Sequence, residues 1–175
     1  MNETVINKSP VKFLGLCVLE IIMLTLCAFD LAGGIKHSNL VCIITGIIAL
    51  IFFGICFVFI IKIALDKKPL LIISDDGITD MTTAGSKVFI PWSEIKSISV
   101  RKVFTQRFIG IDVYDLDKLM SGISPAKQKI ITANLRLKYP PISISLNMAN
   151  KKFSDVLSLI QNKLNEANLK NQQKN

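Results

Sequence analysis

The sequence predicts a membrane α-helical hairpin of two transmembrane helices followed by a small α+β domain. That domain reads as an antiparallel β-barrel or meander with inserted helices and a C-terminal capping helix. Three observations predict this. Leu40 to Leu65 is an unbroken apolar run with a single charge, Lys62. A second apolar stretch, Phe13 to Ala32, precedes it. From Asp66 onward short alternating patterns and then amphipathic ones take over, and none of the four cysteines occurs there. The expected layout is a cytosolic segment 1–12, the hairpin 13–65 with spans 13–32 and 40–65, a domain 66–164 and a polar tail 165–175.

The long run sets the class. At about 1.5 Å per helical residue it spans roughly 39 Å, against about 30 Å of bilayer hydrocarbon. A helix apolar on every side has no flank to offer water. The first stretch, FLGLCVLEIIMLTLCAFDLA, is interrupted by Glu20 and Asp30. Asp30 lies near its end, within reach of headgroups. Glu20 lies well inside, and a carboxylate at a helix centre costs about 2.5–3.5 kcal/mol. One reading is a proton- or substrate-handling group. The plainer one is a protonated carboxyl, or one that faces the partner helix or the interface. A hairpin pivoting near Lys36 sets Glu20 level with Phe53 and Gly54, not with Lys62, so register offers it no ion pair. Lys8 and Lys12 before Phe13 imitate a signal sequence, but no small-x-small cleavage site follows. Leu26 also stands where the lipoprotein-like Leu24-Thr25-Leu26-Cys27 would need a small residue. The stretch is expected to be retained.

Lys8, Lys12, Lys62, Lys67 and Lys68 lie on the outer flanks of the spans, and Lys36 alone lies between them. The positive-inside rule then places both termini in the cytoplasm. Gly33-Gly34 is expected to end the first helix, leaving GGIKHSN to turn the chain. Cys17 and Cys27 are about 15 Å apart along a helix, and Cys42 and Cys56 about 21 Å, too far to bridge within either pair. Cys42, Thr45, Gly46, Ala49 and Cys56 can form a small-residue seam against the first span.

From Asp66 onward there are 17 Lys and Arg against 10 Asp and Glu, so +7 of the formal +8 lies there. Six strands are expected. Pro69–Ser74 and Ile78–Thr83 flank the tight turn Asp75-Asp76-Gly77. Ala84-Gly85 turns the chain into Lys87–Ile90. After Pro91-Trp92-Ser93-Glu94 come Ile95–Phe104, with Ile98 and Val100 on the inner face, and Phe108–Tyr114; each keeps one wet face. Asp115 caps a short helix carrying Leu116, Leu119 and Met120. Ser124-Pro125 opens another, presenting Ile130, Ile131, Asn134, Leu135 and Leu137. Ile142–Asn147 alternates strictly, the sixth strand. Phe153, Val156, Leu157, Ile160 and Leu164 form one helical stripe.

The blocks KPLLIISDDGITD, FIPWSEIKSI, RFIGIDVYDLDKL and YPPISISL resemble a group of small bacterial membrane proteins. Those carry two N-terminal spans and a cytosolic domain similar to bacterial pleckstrin-homology (PH) domains. The resemblance follows the order of parts along nearly the whole chain, its matching blocks lying between Lys68 and Leu146. It implies the bacterial plasma membrane as location, and high Lys, Asn and Ile usage fits an AT-rich genome. Trp92 in Ile90–Ile95 is expected to pack at a corner. Where eukaryotic PH domains hold phosphoinositides with cations in their first loop, this chain has Asp75-Asp76-Gly77, so such binding is not expected.

Lys67, Lys68, Arg101, Lys102 and Arg107 are candidates for contact with anionic lipid, at roughly 1 kcal/mol per basic residue near a surface. The dispersed charge and the absence of a basic helix speak against nucleic acid. The single histidine, His37, stands far from other chemistry, and no catalytic, metal or cofactor motif is present. Asp75, Asp76, Asp112, Asp115 and Asp117 suit turn and cap positions. The expected role is therefore a non-enzymatic interaction or scaffolding module, needing no cofactor, with the bilayer and another membrane or cytosolic protein as partners. The alternative is a protective factor against a membrane-active bacteriocin. Self-association is left open.

Overall fold

The computed structural model describes residues 3–82 and 87–172. Its elements form two units, Ser9–Lys67 and Met1–Lys8 with Lys68–Asn175.

The first unit is a pair of helices, α1 (Pro10–Lys36) and α2 (Leu40–Leu65), each long and apolar enough to cross a membrane. α2 coincides with the expected span. α1 begins earlier, with Pro10 in the first turn, where its missing N–H has no helical partner to lose. It also runs through Gly33-Gly34, which do not end it as expected. A Cβ on Gly34 would lie 2.8 Å from the backbone nitrogen of Ile43, so that glycine allows close helix approach. The turn shrinks to His37-Ser38-Asn39, with Ser38 at φ 52°. Asn39 Oδ1 accepts from the Val41 and Cys42 amides at 3.1 and 3.4 Å, capping α2.

The buried residues of α1 (Phe13, Glu20, Cys27 and Gly34) recur every seven positions. On α2, Cys42, Gly46, Ala49, Phe53, Cys56 and Ile60 are among its less exposed positions and alternate by four and three. This is the spacing of two helices packed along a heptad seam. A Cβ on Gly46 would lie 2.9 Å from that of Leu31. The small-residue seam is therefore present, except at Thr45. Its hydroxyl turns aside to Val41 O at 2.9 Å and Asp30 Oδ2 at 3.3 Å. Away from the seam, Leu14, Leu19, Phe29, Ile48, Phe52 and Phe59 are each more than half exposed.

The second unit contains seven strands among the described residues, one more than expected. The addition is β1 (Thr4–Ile6), within the segment read as a cytosolic lead-in. It pairs antiparallel with β2 (Leu71–Ile73), which pairs with β3 (Gly77–Asp80) and then β4 (Val88–Pro91). A single 3-10 turn, Trp92–Glu94, leads to the second sheet. That sheet is β5 (Ile95–Val103), β6 (Gln106–Val113) and β7 (Ile142–Ser145), in that order. The expected barrel is not closed, because no ladder joins the sheets among the described residues. Besides the Trp92–Glu94 turn, they are linked where Lys8 bridges Ala149 and the Asn150 amide donates to Asn7 O at 2.9 Å.

Between the sheets lie Ile6, Leu71, Ile73, Ile78, Ile109 and Ile144, all essentially without solvent contact. α5 (Phe153–Gln172) packs Val156 and Ile160 onto this core, as its stripe predicts. It continues past Leu164, so 165–172 is helical instead of an unstructured tail. Nothing after Phe153 breaks a helix, and Ala167 still packs on the core. Residues 173–175, Thr83 and the expected Ala84-Gly85 turn lie outside the described residues.

α3 (Leu116–Ser121) and α4 (Pro125–Arg136) carry the expected caps. Asp115 accepts from the Lys118 amide at 2.9 Å, and Ser124 from the Lys127 amide at 3.4 Å. α4 buries a different face from the expected one. Ile131 and Lys127 are inside, Asn134 is half-buried, and Ile130, Leu135 and Leu137 are exposed. The reading of β6 as having one wet face also fails at Gly110. Pro140 lies over it, so close that a Cβ there would meet Pro140 Cγ at 2.5 Å. Val100, expected on the inner face, is exposed, although its ladder partner Ile109 is fully buried.

Candidate functional site

The distal β5–β6 hairpin collects most of the candidate basic residues. In β5 and β6, Arg101 pairs with Phe108, Lys102 with Arg107 and Val103 with Gln106. β7 ends at Ser145, opposite Phe108. Beyond that pair the hairpin is a two-stranded ribbon, and Arg101, Lys102 and Arg107 are all exposed. From Ile95 to Ile111 the chain carries Lys96, Arg101, Lys102 and Arg107 and no acidic residue. Arg107 is also held from below, its guanidinium carbon 4.6 Å from the Phe153 ring centroid. Lys67 and Lys68 are exposed in the separate segment that joins α2 to β2.

Sequence reasoning missed Phe104 at this tip by ending the strand on it. It is the first of two turn residues, has φ 53° and is 93% exposed. No turn signal marked it: Phe104-Thr105, between the strands, contains neither glycine nor asparagine.

A second feature is a groove of about 370 Å³ beside β4 and α3, with Phe89, Val113, Leu119 and Ile123 among its apolar lining. β4 is an outer strand of its sheet. Glu94 and Lys118 pair on the rim, and the Glu94 carboxylate raises the Lys118 ammonium above its ordinary pKa.

Other charged groups have structural tasks. Asp80 and Lys127 are buried and joined at 2.8 Å, while Asp80 Oδ1 also accepts from the Thr82 amide and hydroxyl at 2.9 and 2.6 Å. Asp112 accepts from Ser97 at 2.9 Å, and Asp75 from Lys163 at 2.9 Å. Trp92 is buried, and its indole N–H donates to Ser74 O at 3.1 Å, locking the β2–β3 turn to the corner. The turn at Asp75-Asp76 is closed by the Ser74 amide donating to Gly77 O at 3.0 Å.

Glu20 lies on the heptad seam of α1, 9% exposed, and its Oε1 has no hydrogen-bond partner. The expected level, Phe53 and Gly54, shifts by about one turn. With the connection centred on Ser38 and Leu31 against Gly46, the same register brings Glu20 level with Cys56. Cys56 offers no ion pair either.

Comparison with known proteins gives one family. A profile described as Bacterial PH domain matches residues 6–114, well over half of the chain. The match starts in β1, runs across both apolar helices and ends just past β6. No curated protein and no solved structure matches the chain.

Proposed function

The chain belongs to the bacterial PH domain family, and from that membership we propose a non-catalytic, membrane-tethered interaction module. Its two apolar helices cross the bacterial plasma membrane, and its PH-like domain works at the cytoplasmic face, where it binds another protein. The observation that carries this reading is topological. β1 and β2 are hydrogen-bonded neighbours, yet the segment between them is the apolar helix pair. Strands of one sheet share one side of a membrane, so an even number of crossings fits and a single crossing does not. The exposed apolar flanks of both helices support the same reading, since only lipid solvates such surfaces without cost. For the protein partner, the groove beside β4 combines a free strand edge with an apolar floor, the elements of strand addition.

Two measurements test it. A reporter active only outside the cytoplasm, fused after Asn175, should be silent, and strong activity would overturn the topology. A photo-crosslinking residue at Phe89 should give a discrete protein adduct in cells, whereas one at exposed Leu137 should not. Equal labelling at both positions would overturn the groove as the binding site.

A further inference from the structure

We propose that the tip of the β5–β6 hairpin docks on an anionic lipid surface, with Phe104 as the apolar anchor and Arg101, Lys102 and Arg107 around it. This rests on the membrane-tethered reading and adds a second, reversible contact to it.

Three local choices at this tip work against folding. Phe104 takes φ 53° at the turn position where glycine is the default, so a bulky side chain stands in a disfavoured backbone region. It then buries nothing, being 93% exposed. One ladder pair behind the turn, Lys102 and Arg107 face each other directly across the strands, a like-charge pair that strains them. A two-stranded ribbon gains little from packing to offset any of these. Where local rules fail together and only the Phe153 ring under Arg107 offsets any of it, the explanation lies in something the folded chain meets.

The charge pattern identifies what that is. An exposed aromatic at a turn whose flanking strands carry three exposed cations, with no acid between Glu94 and Asp112, complements a surface that is apolar inside and anionic outside. Amphipathic elements with basic flanks and an aromatic apex enter the headgroup–acyl boundary in this way. Arginine supplies bidentate pairing to lipid phosphates, and the Phe153 ring holds Arg107 in place for it. A protein surface would need a matching acidic socket for a protruding ring, whereas a bilayer accepts a single wedge without one.

The experiment uses the full chain in lipid nanodiscs, with Phe104→Trp as the reporter and brominated lipids as the quencher. The native chain, whose only tryptophan is the buried Trp92, gives the background. In discs containing phosphatidylglycerol, the added tryptophan should shift to the blue and lose emission to the brominated chains. The loss should shrink at high salt and disappear with Arg101→Glu, Lys102→Glu and Arg107→Glu together. Equal quenching in purely zwitterionic discs would overturn the role of the cations. A water-exposed tryptophan in both kinds of disc would overturn the proposal and assign the tip to a protein. Incorporation of the chain is read separately by resistance to alkaline extraction. Failure there strikes the membrane-tethered reading, whereas failure of quenching in an incorporated chain strikes only the docking tip.

Discussion

The ion pair of Asp80 and Lys127 joins β3 to α4 with both side chains buried. Taking away one member strands the other charge inside, at about 3–5 kcal/mol, whereas taking away both removes the need for either. Lys127→Met is therefore expected to destabilise the domain by about that amount, and Asp80→Asn added to it should restore much of the loss. Denaturant unfolding followed by Trp92 fluorescence measures both. A double variant as weak as the single one would show that Lys127 acts through packing. Glu20 presents the opposite case, a carboxyl oxygen on an apolar seam with nothing to bond to. Glu20→Leu should stabilise the helix pair by about 1–3 kcal/mol, the usual cost of an unsatisfied buried polar group. Thermal unfolding in detergent micelles tests it, and a fall in stability would mean that the carboxyl has a partner to serve.

At the scale of elements, the helix pair depends on where side chains are missing. Gly46 lets α2 lie against Leu31, and even a methyl group there would sit 3.0 Å from the Leu31 backbone. Gly46→Ala is expected to cost about 1–3 kcal/mol as an overpacking change, while Gly54→Ala, with open space around it, should cost little. Comparing their midpoints in detergent decides whether the seam is as tight as drawn. Elements whose patterns are long and local could be read directly. α2, the Ser124-Pro125 start of α4 and the Ile142-Ile144-Leu146 alternation needed only periodicity and cap chemistry. What could not be read depended on distant partners. β1 is three residues whose only case for being a strand is β2, more than sixty positions later. Lys127 looks like a solvent-facing lysine until Asp80 is folded beneath it. Of the candidate site, the three cations of the hairpin were legible as charges. Phe104 was not, because a strand pattern does not say where its turn falls.

For the whole molecule, the decisive relation is that the helix pair replaces what would otherwise be a β-hairpin turn. The last pair of the β1–β2 ladder is Ile6 with Leu71, and the Leu70 amide also donates to Ile6 O at 2.8 Å. Asn7 and Lys8 are held by Asn150 and Ala149, outside the helices. The β1–β2 ladder itself is formed by Thr4–Ile6 and Leu71–Ile73. The domain is therefore expected to survive removal of that unit, with Lys8 joined to Lys68 by a short Gly-Asn-rich turn, since antiparallel neighbours need only such a connection. The excised chain should be soluble, and its Trp92 should remain buried, with emission matching that of the full chain. A second variant lacking residues 1–8 as well separates the contribution of β1. It removes Ile6 from the core and bares the backbone of β2, so it should unfold more easily and aggregate through that edge. If the first variant were as unstable as the second, the helix pair would be part of the folding unit and not an insertion into it. If both stayed folded alike, β1 would be dispensable, and the argument that strand pairing fixes both ends of the hairpin on one side of the membrane would lose its footing.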